Sequence, residues 1–331
     1  MRSGESPRRV LVAADSFKGT FRSAEVNVAI GAAFEDAGWT ANSLAVADGG
    51  EGTMEALVSA LGGIYRAAQA SDPLGRAVDA RWALLGDGRA AVEVAEASGL
   101  WRVAEEDRDA WAASTYGTGE LIAAAATAGA ERVLVAAGGS ATTDGGAGAL
   151  RALEEAGTEI GMDVICDVAT AWEEAPAVFG PQKGADPPTV VRLERRLDEL
   201  AERAPRDPRG VPGTGCAGGL SGGLWAFRGA RLLPGASFVL DAIGFDAHLP
   251  AADLVVTGEG RLDRQTLAGK VVAEIARRCR EQGVQCWAIV GSLDLARDRL
   301  DELGLDGVKE APTLPEIRAR ATAIAGRPRG R

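Results

Sequence analysis

Short apolar runs alternate along this chain with turns rich in glycine, aspartate or serine, and most of those turns lead into segments whose apolar positions recur every three or four residues. That alternation predicts parallel strands joined by helical crossovers, the pattern of an α/β sheet. "RRVLVAAD" passes through "SFKGTFRS" into a helix that carries Val26, Ile30 and Phe34 on one face, with Ser23 as N-cap and Gly38 as its stop. "NSLAVAD" leads through "GGEGT" to "MEALVSAL", and "ERVLVAAG" leads through "GSATTDGG" to "AGALRAL". "ADLVVTG" precedes "EGRLDRQTLAGK" and a helix with Val272, Ile275 and Cys279; "VQCWAIVG" precedes "SLDLARDRL". Ligands of open parallel sheets bind beyond the carboxyl ends of the strands, so these turns are expected to gather at one edge.

Between Ile64 and Ala95 the pattern changes to alternating runs broken by "DPLGR" and "GDGR", which predicts an antiparallel meander and the start of a second, inserted domain. The expected division is residues 1–63, 112–160 and 245–331 in one domain, and 64–111 with 161–244 in the other. "VVRLERRLDELAERA" reads as a surface helix, with Val190, Leu193, Leu197 and Leu200 in one stripe. "PRDPRGVPGTG" is a loop, and the terminal "GRPRGR" a frayed tail.

A length of 331 residues, 46% hydrophobic, is enough for two cores. The net charge of -11 argues against a nucleic-acid partner, whose phosphates call for clustered lysine and arginine. No apolar run approaches a bilayer span or a signal-peptide core, so no membrane partner is expected and the cytoplasm is the expected location. Cys166, Cys216, Cys279 and Cys286 are scattered, as for packed, reduced thiols. A single histidine, His248, excludes zinc sites built on several histidines.

The familiar phosphate signatures are missing. "GRLDRQTLAGK" is not a P-loop, because Val271 follows its lysine and the first glycine is misplaced. "GTGCAG", Gly213 to Gly218, matches G-x-G-x-x-G as a string but follows a loop instead of a strand. It is the sole support for an NAD-linked hydroxy-acid oxidoreductase. What remains is a set of turns rich in Asp, Glu, Lys and Gly. Phosphoryl transfer needs amides and cations around phosphates, carboxylates for Mg²⁺, and a base at the attacking hydroxyl. Lys18 and Lys270 are candidate phosphate cations; Asp15, Asp48, Asp144, Glu259 and Asp263 are candidate metal ligands or base. The turn Gly138–Gly146, at the start of a helix, suits an anion.

The blocks "ADSFKGTFRSAEV", "VADGGEGTMEALV", "SDPLGR", "AEASGL", "YGTGELI", "GGSATTDGGAGALRAL", "FGPQKGAD", "GCAGGLSGGL" and "ADLVVTGEGRLDRQTLAGK", in this order, resemble the bacterial type I glycerate kinases, the group that includes the D-glycerate 2-kinases. The resemblance runs from Val10 to Leu293. It implies an ATP- and Mg²⁺-dependent kinase acting on D-glycerate, with 2-phosphoglycerate the favoured product. It also implies a parallel Rossmann-like sheet domain, a second α/β domain inserted into it and a cleft between them. A monomer or homodimer is expected.

On that resemblance, Asp48, Asp263, Lys18 and Asp144 are the expected catalytic residues, with Asp48 and Asp263 also the expected metal ligands. Asp15, Ser16, Arg261, Gln265 and Thr266 are expected at the substrate. Gly49, Gly50, Gly138, Gly139, Ser140, Thr142, Glu259 and Lys270 are expected at the nucleotide, with Glu51 beside them in "ADGGEGT". One departure stands out: "LRALEEAGTEIG" passes almost at once to "MDVICDV", a stretch compressed relative to the family pattern. The surrounding blocks survive, so the fold is expected to be retained. Loss of activity there would leave a non-catalytic protein that binds a sugar acid.

Overall fold

The computed structural model describes residues 7–17, 19–267 and 269–327. They form two units, Met1–Asp48 with Val239–Arg331, and Gly49–Phe238.

The strands of the first unit are β1 (Arg9–Ala14) and β2 (Thr40–Ser43), and those of the second are β3 (Gly63–Ser71), β4 (Ala77–Leu85), β5 (Ala90–Glu93), β6 (Arg132–Ala136), β7 (Gly161–Cys166) and β8 (Arg231–Pro234). The chain then returns to the first unit with β9 (Leu254–Leu262), β10 (Gln285–Leu293) and β11 (Gly307–Glu310). In the first unit all five strands are parallel, in the order β11-β10-β9-β1-β2. Parallel strands covered on both faces have no polar side, which is why "VLVAA" and "LVV" read as unbroken apolar runs. Val10, Val12, Leu254, Val256 and Ile289 pack with the helices Ser23–Asp36 and Leu314–Ala325. Leu11, Ala13 and Val255, on the alternate face, are equally buried.

Helix Ser23–Asp36 buries Val26, Ile30 and Phe34, as its spacing predicts. Its N-cap is Arg22, not Ser23. The Ser23 hydroxyl donates instead to the Ala14 carbonyl at 2.6 Å, tying the helix to the end of β1.

The second unit holds a six-stranded sheet in the order β3-β4-β5-β6-β7-β8. β3, β4 and β5 form the expected antiparallel meander, and β5 to β8 run parallel. This corrects the expected division of the chain. The apolar pattern groups β6 and its glycine-rich turn with β1, yet β6 pairs with β5 and β7. The crossover grammar is the same in both sheets, so apolar periodicity alone does not say which sheet a strand joins. The units therefore meet along the chain at Asp48–Gly49 and Phe238–Val239, and the five turns divide between two sheets.

Across the compressed stretch, helix Ala147–Glu155 ends, the chain turns at Ala156–Thr158, and β7 begins at Gly161. Helix Pro187–Ala201 is capped by Asp186, which accepts from Thr189 N–H at 2.9 Å, and it buries Leu193 and Leu197. All four cysteines are buried free thiols. His248 sits in a short helix, where Asn42 Nδ2 donates to its Nδ1 at 3.1 Å. Among the described residues, no helix is long and apolar enough to cross a membrane.

Ile30→Ala should lower the free energy of unfolding by about 2–5 kcal/mol through the cavity it leaves. Val28→Ala, at a position 70% exposed on the same helix, should change it by less than about 0.5 kcal/mol. Urea denaturation of the two variants measures both, and equal losses would contradict this assignment of the helix faces.

Candidate functional site

In the first unit, the carboxyl ends of β1, β9 and β10 and the stretch before Gly49 surround a cavity of about 320 Å³. Asp15, Ser16, Asp48, Glu259, Arg261 and Lys270 line it, so residues separated by most of the chain length meet at one sheet edge. Asp15 is placed by its own N–H, which donates to the Gly258 carbonyl at 2.8 Å, and its Oδ1 accepts from Ser16 N–H at 2.7 Å. Thr266 Oγ1 donates to Glu259 at 2.6 Å and accepts from Asp263 N–H at 3.2 Å. Lys270 Nζ lies 4.0 Å from the same Glu259 carboxyl. Arg261 pairs with Asp294 at 2.5 Å and stands 3.8 Å from Asp263.

Burial pushes Glu259 up to about 7; the charges of Asp48 and Asp263 add to the rise, while Thr266 and Lys270 oppose it. Near neutrality this carboxyl is therefore partly protonated. Thr266 is itself fully buried and committed to Glu259, so it orients the acid and is not open to substrate. Lys18 lies outside the described residues, as does the side chain of Gln265.

The second unit carries the remaining expected residues. Gly138 N–H donates to the Gly49 carbonyl at 3.2 Å, and a Cβ on Gly138 would stand 2.5 Å from the Gly50 Cα. Only glycine allows two main chains to approach so closely. Gly139 is likewise pressed against Glu51, so "ADGGEGT" and "GGSATTDGG" interlock. Beneath them, Glu93 accepts from Met54 N–H at 2.8 Å at the start of helix Thr53–Leu61, and burial pushes it up to about 7.

Asp144 is an anchor. Its carboxylate accepts from Thr115 N–H and Oγ1 at 2.9 Å each, from Gly146 N–H at 3.0 Å and from Gly148 N–H at 3.1 Å. Both oxygens are engaged at the N-terminus of helix Ala147–Glu155, where a negative charge is stabilised by the helix dipole. That arrangement suits a residue that shapes the turn better than one that takes a substrate proton. Thr142 is fully buried and donates to the Ala217 carbonyl at 3.4 Å.

"GTGCAG" serves the same turn. Gly218 accepts from Gly145 N–H at 3.0 Å, and any side chain at Gly218 would collide with the Thr142 carbonyl. No strand feeds this segment, which runs through the turn Cys216–Gly219 into helix Leu220–Arg228. The motif is a buttress, and the dinucleotide reading loses its structural context.

Sequence reasoning passed over Lys183. It lies in the short turn Pro181–Lys183, buried, with Nζ donating to Ser140 Oγ at 3.0 Å and to the Thr142 carbonyl at 2.6 Å. The signal was present in "FGPQKGAD", a lone lysine among proline and glycine, but only the fold shows which turn it reaches.

A sequence model of the glycerate kinase family matches residues 10–158 and 153–326. The chain belongs to the glycerate kinase family. The two matched stretches meet around the compressed segment. This family member is 37% identical to the glycerate 2-kinase of Escherichia coli K12, over 91% of this chain and 89% of that one. It is also 37% identical to the glycerate kinase of Bacillus subtilis 168, with the same coverage of each chain. The crystal structure of a Salmonella typhimurium LT2 protein of the glycerate kinase 2 type matches with a TM-score of 0.79 at 35% identity, covering 97% of this chain and 98% of that one.

The raised acids have a measurable consequence. Unfolding returns Glu93 and Glu259 to their ordinary value of 4.5, whereas the folded chain holds both near 7. Their contribution is fully present below about pH 4.5 and is lost as pH rises towards about 7. Stability measured by urea titration should fall across that window, and Glu259→Gln should flatten part of the fall. An unchanged slope in the variant would contradict the burial of this acid.

Proposed function

We propose that this chain transfers the γ-phosphoryl group of ATP to a hydroxyl of D-glycerate, with 2-phosphoglycerate the favoured product. The observation that carries the reading is the first-unit cavity: a small, polar space lined by three carboxyl groups and two cations suits a short hydroxy acid next to phosphate. Membership of the glycerate kinase family gives the reaction its class.

Phosphoryl transfer passes through a loose transition state, so positioning and charge do most of the work. Arg261, which lines the cavity with Asp15 and Ser16, supplies a cation for the glycerate carboxylate, and Lys18 is the further cation that "DSFKG" offers. Asp48 or Asp263 accepts the proton of the attacking hydroxyl. Lys270 meets nucleotide phosphate as a point charge. Glu259, which keeps its proton up to about pH 7, stands beside anionic substrates with less repulsion than a fixed carboxylate would exert. The interlocked glycine turns, Gly49–Gly50 and Gly138–Ser140, are the proposed contact for nucleotide phosphates, since main chain without side chains lets a ligand approach closely.

Among the described residues, no trio of His, Cys, Asp or Glu side chains is grouped to hold a metal alone. Mg²⁺ needs only one or two carboxylates where phosphates and water complete its shell. Asp48 and Asp263, whose charges both bear on Glu259, are the pair that fits. Bound there, Mg²⁺ would neutralise charge on the phosphates. The cytoplasm, where ATP is available, is the proposed location.

Incubation with Mg-ATP and D-glycerate should release ADP in proportion to glycerate, with the phosphate on the 2-hydroxyl by NMR. Asp48→Asn and Asp263→Asn are each expected to fold normally, and the one that removes the base should lower kcat by about 10²–10⁴. Release of ADP independent of glycerate, or full turnover in both variants, would overturn the assignment.

A further inference from the structure

Lys183 is an unusual residue to find beneath a turn. Its side chain is buried and its Nζ sits 5.9 Å from the centre of the Phe179 ring, yet its two hydrogen-bond partners are neutral: the Ser140 hydroxyl and the Thr142 carbonyl. No carboxylate stands within ion-pair distance of it among the described residues. A buried cation without such a partner is costly unless a negative charge arrives from elsewhere.

The hydrogen-bond direction adds a second point. Lysine can only donate, so the Ser140 oxygen is an acceptor in this contact and its own proton is turned away from Nζ. Ser140 is thereby held as a donor, in a turn whose neighbour Thr143 has a buried Oγ1 with no hydrogen-bond partner among the described residues. The buried charge of Lys183 reaches a turn that also carries an oriented hydroxyl donor and an unsatisfied polar atom.

We propose that Lys183 is the buried counter-charge of a phosphate-binding turn at Gly138–Thr142, and that it acts as a positioning residue by orienting the Ser140 hydroxyl toward the phosphate. This rests on the reading that the turn receives nucleotide phosphates. The charged and titratable groups that face Lys183 are Asp144 within the turn, Asp167 just after β7, and Cys216 at the start of the buttress. The two carboxylates favour its charged form, but burial prevails and brings it down to about 8. The Cys216 thiol is held well above its ordinary range by its contact with Cys166 and by burial. Lys183 is thus the group whose charge changes just above neutrality, and the charged form is the one an anion selects.

The test is calorimetric titration of the full chain with ADP, and with adenosine as the phosphate-free control, from pH 7 to 9.5. For the wild type, ADP affinity should fall as pH rises past about 8 while adenosine affinity stays level. Lys183→Met should weaken ADP by about tenfold or more at pH 7 and flatten its pH profile, leaving adenosine unchanged. Ser140→Ala should weaken ADP by a smaller factor and add little in the Lys183→Met background, since the two act as one unit. Should Lys183→Met fail to fold, the Ser140→Ala loss and the wild-type pH profile decide the matter. A wild type that binds ADP, with variants of unchanged affinity and pH profile, overturns the role of Lys183 alone. A wild type that binds no ADP overturns the phosphate reading of the turn, and the counter-charge falls with it.

Discussion

Two stretches of main chain in the second unit, at Gly49–Gly50 and Gly138–Gly139, lie too close together for any side chain to come between them, and the shape of this region follows from that contact. It brings the turn after β6 against the segment that begins the unit. Asp144 then gathers the amides at the entry of helix Ala147–Glu155, and "GTGCAG" closes the turn from behind. Lys183 enters from below as a buried charge. Each is a local interaction, but all converge on the same few residues, and the turn is fixed from several sides.

In the first unit the governing constraint is different. Strands β1, β9 and β10 are apolar until their carboxyl ends, where Asp15, Glu259 and Arg261 emerge almost without transition from the core. An acid placed so near a core loses solvation, and Glu259 responds by keeping its proton to about pH 7. The same position that makes the acid costly to the fold suits the crowded, anionic pocket proposed above. On that proposal stability and chemistry pull against each other here, as is common where ionisable groups are buried for function.

Much of this was legible in the sequence. The alternation of apolar runs with helices revealed an α/β protein with an antiparallel meander, and "ADSFKG", "ADGGEGT", "GGSATTDGG" and "GEGRLD" drew attention to the turns at the strand ends. What could not be read was assignment to sheets. β6 has the same strand, turn and helix grammar as β1 or β9, and only its pairing with β5 and β7 separates them. Roles within the turns were equally hidden. Asp144 looks like any catalytic aspartate until its four donors are seen, Thr266 looks open until it is found bonded to Glu259, and Lys183 is silent because its partners lie some forty positions earlier in the chain.

The most direct measurement is amide hydrogen exchange on the full chain, alone, with a non-hydrolysable ATP analogue, and with D-glycerate. The nucleotide should slow exchange at Gly49–Glu51 and at Gly138–Thr142, and glycerate should slow it at Asp15–Ser16 and around Glu259–Asp263. Binding of both ligands with those segments unchanged, and with protection elsewhere in the chain, would contradict the placement of the site on these turns.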